Sequence, residues 1–200
     1  FEKHMLKSEE LGRKTTLIDW PYRWNIAQAR LKESAGDLDA SLDLLDEAKR
    51  LYVRNLLPDI QPIEALKAKI YIKQGNLARA VNWVHDRNIS VNDELSYLSE
   101  FEHITLARVI IAEYKDNHKE QDMLQALGLL ERLLMVAEDS RRMGSVVEIL
   151  VVQALAHDIQ GNMNHALHAL ERALHIAEPE GYVRIFVDEG PPMVRMLYKT

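Results

Sequence analysis

The stretch GNMNHALHALERALHIAEPEGYVRIFVDEG, residues 161–190, decides how the rest of the chain is read. Its first half opens on Gly161 and Asn162, a pair suited to a turn, then places Ala166, Leu167, Leu170, Ala173, Leu174 and Ala177 at helical spacing. That is one amphipathic helix with small residues on its buried stripe. Small residues at fixed places let a second helix approach closely, so the pattern demands a partner helix and directs attention to copies elsewhere.

The copies are present. Gly36 and Gly75 open the same phrase in GDLDASLDLLDEA and GNLARAVNWV, and Gln121 stands in the glycine place of QDMLQALGLLERL. Two residues on come Leu38, Leu77, Met123 and Met163; five on come Ser41, Ala80, Ala126 and Ala166; nine on come Leu45, Val84, Leu130 and Leu170. Seven residues before each glycine stand Ala29, Ala68 and Ala154, whereas the matching Ala107 lies fourteen before Gln121. Seven extra residues therefore fall in or near EYKDNHKEQ, and the steps between turns are 39, 46 and 40 residues (36 to 75, 75 to 121, 121 to 161).

Helical hairpins that cannot bury their apolar stripes alone must stack, which predicts an all-α solenoid of about four hairpins with a C-terminal cap. The units are read at about 21–56, 60–88, 94–140 and 142–178, with the cap at 179–200. Within them the helices are expected at 21–35 and 37–55, closed by Pro58; at 63–74 and 77–87; at 94–114 and 120–140; and at 142–160 and 163–178, stopped by Pro179. The opening FEKHMLKSEEL reads as a helix closing at Gly12, and the following GRKTT lacks the second glycine of a phosphate-binding loop, Lys7 occupying its place.

Composition limits the function classes. The 200-residue chain is 47% apolar with eight glycines and six prolines, so it can bury a core and is mostly helix. Its formal net charge of -6, without a dense Lys and Arg run, argues against direct nucleic-acid contact. Cysteine is absent, compatible with a cytoplasmic setting. The most apolar run, ILVVQALA at 149–156, is far shorter than the roughly 20 residues of a membrane span, so no membrane contact is expected. A chain beginning at Phe1 reads as a piece of a longer protein.

The small residue, the glycine turn seven later and the small, large, small pattern at five, nine and twelve beyond it resemble the tetratricopeptide repeat, in a divergent form with units longer than the usual 34 residues. The closing EPEGYVRIFVDEGPPMVRMLYK, residues 178–199, closely resembles the segment ending the tetratricopeptide-like domain of MalT-like, LuxR-family ATP-dependent transcription activators. Pro179, Glu180, Gly181, Tyr182, Val183, Arg184, Phe186, Asp188, Glu189 and Gly190 carry that likeness. The resemblance implies a sensor domain on which an inducer or regulatory protein acts, flanked in the parent by an ATPase module and a helix-turn-helix domain, neither of which lies in this chain. The partners expected are an inducer or regulatory protein, the parent's other domains and, as an open alternative, a second copy of the chain. A plain protein-interaction scaffold with no sensing role is the rival reading.

Read from its own residues, the signature is structural: Pro179 breaks a helix, Gly181 permits a reversal, Tyr182, Ile185 and Phe186 pack on the last pair as a short helix, and Pro192 suits the first turn of a final helix through Lys199.

A binding groove follows from the register. The residue after each first-helix alanine should face the concave side, which places Arg30, Lys69 and Arg108 in a column that Leu155 breaks; Arg23, Lys73 and Phe101 fall on or near the same face. Three cations on neighbouring units suit a carboxylate, phosphate or acidic peptide, the alternative being solvated charge on an exposed face. His157, His165, His168 and His175 cluster, but the last three fall on exposed positions, so no metal site is expected. Trp20, Tyr22 and Trp24 read as packing residues. No nucleophile stands at meaningful spacing from a base and no Gly-rich phosphate loop appears, so neither catalysis nor a cofactor is expected.

Overall fold

The structure is a computed structural model that describes residues 2–14, 17–52 and 59–200. Among these residues it is all helix: α1 Glu2–Lys14, α2 Trp20–Ser34, α3 Leu38–Leu51, α4 Ile63–Lys73, α5 Leu77–Arg87, α6 Glu100–Asn117, α7 Glu120–Asp139, α8 Met143–Ile159, α9 Met163–Glu180, α10 Arg184–Val187 and α11 Pro191–Leu197. Helices α2 and α3, α4 and α5, α6 and α7, and α8 and α9 pack as hairpins, and α3 on α4, α4 on α6 and α7 on α8 join them into an α-solenoid. None of these helices is long and apolar enough to cross a membrane.

The repeated small residues do the joining. Ala29, Ala68, Ala107 and Ala154 on the first helices are buried, as are Ser41, Ala80, Ala126 and Ala166 on the second. Ser41 shows why a polar atom is tolerated there, since its Oγ donates to the Ala29 carbonyl at 2.7 Å across the hairpin. The larger residues nine past the turn, Leu45, Leu130 and Leu170, fill the space between, and the biggest apolar cluster spans α6 to α11.

Each hairpin reverses through a left-handed residue two places before the second helix. Gly36, Gly75 and Gly161 adopt it with φ of 80°, 73° and 75°. The next amide then reaches back across the turn, Asn76 N–H to the Tyr71 carbonyl at 2.8 Å and Asn162 N–H to the His157 carbonyl at 2.9 Å, as in a Schellman cap.

In the third hairpin the counterpart of the glycine is His118 (φ 53°), not Gln121, which lies inside α7. His118 stands eleven residues after Ala107 where the glycines stand seven after their alanines, and Ala126 stands eight after His118 where five is the rule. The seven inserted residues thus divide as four in α6 and three in α7, close to one helical turn of 3.6 residues each. Whole turns lengthen both helices without rotating their buried faces away from the neighbours.

Other expectations need correcting. Helix α6 starts at Glu100 rather than 94, because short polar side chains compete for the backbone just before it: Ser90 N–H donates to Asp93 Oδ2 at 2.8 Å, and Ser96 N–H to Ser99 Oγ at 3.3 Å. Arg132 of α7 holds that loop by donating to the Val91 and Asp93 carbonyls at 2.5 and 2.7 Å. Pro179 does not stop α9; it sits inside the last turn, where few hydrogen bonds remain to be lost, and left-handed Gly181 ends the helix. Gly12 does not close α1 either. It lies under the Trp20 indole, which a Cβ at that position would overlap, so the glycine permits close contact between α1 and α2. Helix α3 ends at Leu51 rather than 55, and the closure at Pro58 and the GRKTT threonines fall outside the described residues.

Candidate functional site

The first helices of the second, third and fourth hairpins, α4, α6 and α8, lie side by side and present Lys69, Arg108 and Leu155 to one cavity. Its volume is about 1150 Å³, ample for a drug-sized ligand. Helix α9 adds Met163, and the C-terminal segment forms the remaining wall through Glu189, Pro192, Arg195 and Met196. That segment is anchored by apolar burial: Phe186, Met193 and Met196 are buried in the main cluster, with α10 against α8 and α11 against α9.

The segment does more than cover the last hairpin. Between α10 and α11 it reaches into the groove, where Arg108 Nη1 donates to Glu189 Oε2 at 3.0 Å and Nη2 to Oε1 at 2.5 Å. The pair is well enclosed, with side chains 11% and 8% exposed. Lys73 of the second hairpin donates to the Asp188 carbonyl at 2.9 Å and to Glu33 Oε1 at 2.6 Å, linking the first, second and last parts of the array. Gly190 makes the bend possible, since its φ of 70° and ψ of -149° lie in a region open essentially to glycine alone.

Electrostatics follow the geometry. Burial alone would raise the Glu189 pKa, yet Arg108, then Lys69 and Lys73, hold it below its ordinary value. Burial alone would lower that of Arg108, and Glu189 holds it above. Lys69 has no such partner. Burial and the Arg108 charge push its pKa down, against weaker opposition from Glu148, Glu189 and Glu33.

The residues expected in the groove divide accordingly. Lys69, Lys73 and Arg108 line the cavity; Arg30 and Arg23 do not. Arg30 donates to Gln61 Oε1, and Arg23 pairs with Asp19 at 2.6 Å on its own helix. Phe101 faces inward, packed with Ala65, Ala68, Ala80, Trp83 and Val109, because the start of α6 is enclosed nearly all round. Glu189 was expected only as part of a cap, although a column of cations facing a groove calls for an anion and the DEG sequence offered one.

His165, His168 and His175 are exposed, and the His157 and His165 rings lie 5.3 Å apart. Among the described residues no group of three or more His, Asp or Glu could hold a metal ion. Trp20 and Trp24 stack at 5.5 Å between centroids, and Tyr22 packs edge-on against Tyr52 at 5.3 Å.

No curated protein matches this chain, and no solved structure does. A family model described as the MalT-like TPR region matches residues 2–200. The repeats, the groove and the C-terminal segment that reaches into it all lie within that span, and the chain belongs to the MalT-like TPR region family.

Proposed function

We propose that this chain is the signal-sensing and autoregulatory domain of a LuxR-family, MalT-like transcription regulator. An inducer or regulatory protein engages its groove and thereby controls ATP hydrolysis and DNA binding by domains elsewhere in the parent protein. The observation that carries this reading is that one cavity is walled both by the repeats and by the C-terminal segment docked through Arg108 and Glu189. A ligand there touches a fixed wall and a separable one, so it can bind docked and undocked states unequally, which any ligand-driven shift requires. The domain itself needs no catalytic group or cofactor for this, and a cytoplasmic setting suits a regulator of transcription.

The test is thermal unfolding of the chain against a panel of metabolites, followed by ATPase and DNA-binding measurements on the complete gene product with any compound that raises Tm. A sensor gains several degrees with a small molecule present well above its Kd. Response to proteins or peptides alone would leave the scaffold reading. That second reading draws on an apolar cleft of about 500 Å³ between α9 and the C-terminal segment, lined by Leu174, Tyr182, Val183, Val187 and Leu197. Such a surface suits another domain of the parent or a second copy of the chain.

A further inference from the structure

The groove cavity is positive in a chain that is acidic overall. Six cations line it, Lys69, Lys73, Arg108, Lys115, Arg195 and Lys199, against the three carboxylates Asp116, Asp158 and Glu189, so the lining carries a net formal charge of +3 where the whole chain carries -6. Three of the six are already engaged: Arg108 with Glu189, Lys73 with Glu33, and Arg195 with Asp158 at 3.5 Å. Among the described residues Lys69 and Lys115 have no hydrogen-bond or ion-pair partner, and Lys199 reaches only the Met163 sulfur at 3.9 Å. Lys69 is half-buried on α4, close enough to Arg108 on the neighbouring α6 to feel its charge.

The rest of the lining is mostly apolar. Ile72, Ile111, Leu155, Ile159, Met163 and Met196 come from five different helices and face the same space. A neutral polyhydroxylated ligand would set its hydroxyls against these side chains and leave the lysines unpaired. A polyanion would pair with the lysines but leave the aliphatic and methionine wall without an apolar partner. An apolar body bearing one negative charge satisfies both halves of the lining, the charge at Lys69 and the body along the aliphatic and methionine wall. Met163 and Met196 also let such a wall adapt to the body's shape.

We infer that this cavity binds an amphipathic monoanion, an acyl or aryl carboxylic acid whose carboxylate pairs with Lys69. The inference rests on the sensing reading of the same groove and names the chemical class of its ligand.

Calorimetric titration of the chain with decanoate, decan-1-ol and decyltrimethylammonium, each below its micellar concentration, tests the class directly. Decanoate is expected to bind at least tenfold more tightly than decanol, and the cation not at all. Lys69→Met is expected to reduce decanoate to the affinity of decanol while raising Tm, a combination that a folding defect cannot produce. Equal affinity for decanoate and decanol, or decanoate affinity unchanged in Lys69→Met, would overturn the proposal. Neutral sugars and nucleotides run alongside separate the two levels: binding of one of these with decanoate inert overturns the ligand class and leaves a sensor. Decanoate binding that requires Lys69 but leaves hydrogen exchange of residues 184–197 unchanged supports the ligand class and removes the sensing role.

Discussion

Arg108 of the third hairpin and Glu189 of the C-terminal segment, 81 positions apart, meet through two hydrogen bonds in the middle of the concave groove. The pair fixes where the segment lies, while Phe186, Met193 and Met196 supply the buried apolar contact. Breaking a buried pair from one side strands a charge, typically costing about 3–5 kcal/mol, whereas replacing both partners by apolar groups is often neutral. Glu189→Ala is therefore expected to lower stability by up to about 3 kcal/mol, the lower end of that range because the segment can leave and hydrate Arg108. Arg108→Met combined with Glu189→Met should recover most of the loss in urea unfolding.

Acid should release the same contact. Because the folded pKa of Glu189 is depressed, its contribution is fully present above its ordinary value of 4.5 and is lost as pH falls through the lower folded value. Arg108 stays charged throughout. Limited proteolysis from pH 6 to pH 3 should find the segment after Gly181 protected at the upper end and increasingly cleaved as pH falls below 4.5, the sign expected for a carboxylate of depressed pKa. Cleavage independent of pH would show that Glu189 does not hold it.

The bend at Gly190 admits no side chain without strain. Gly190→Ala should cost on the order of 1–3 kcal/mol and appear first as loss of protection in α11, since Gly190 caps that helix. A Tm unchanged within 1 °C, against the several degrees such a loss implies, would contradict the assignment.

At the hairpin crossings, size decides stability. Ala126 is fully buried where α7 meets its neighbours, and Ala126→Leu should destabilise by about 1–3 kcal/mol through overpacking. The reverse change at exposed Leu124, Leu124→Ala, should stay within about 0.5 kcal/mol in chemical denaturation.

The repeats were legible because helix crossing imposes a residue size at fixed places, and size is visible in sequence: Ala29 with Ser41, Ala68 with Ala80, Ala154 with Ala166. The third hairpin was harder. A whole turn added to each helix preserves the buried faces, so the pattern around Met123 and Ala126 survives while the reversal moves to His118, a residue with no glycine signal. Phe101 misled for a related reason: the start of α6, residues 100–107, is buried all round, so its sequence there shows no polar face that separates groove from core. Lys69 and Arg108 were readable from register, but their meeting with Glu189 was not. An ion pair formed across 81 residues leaves no periodic trace.

The central claim is that Glu189 holds the C-terminal segment in the groove. Hydrogen exchange across residues 184–197, compared between the unaltered chain and Glu189→Gln, tests it most directly. The account predicts that exchange accelerates at least tenfold in the variant, a loss of about 1.4 kcal/mol of local stability, while α8 and α9 retain their protection. Equal exchange in the two proteins would contradict it, leaving apolar packing and the Lys73 bond to the Asp188 carbonyl as the tether.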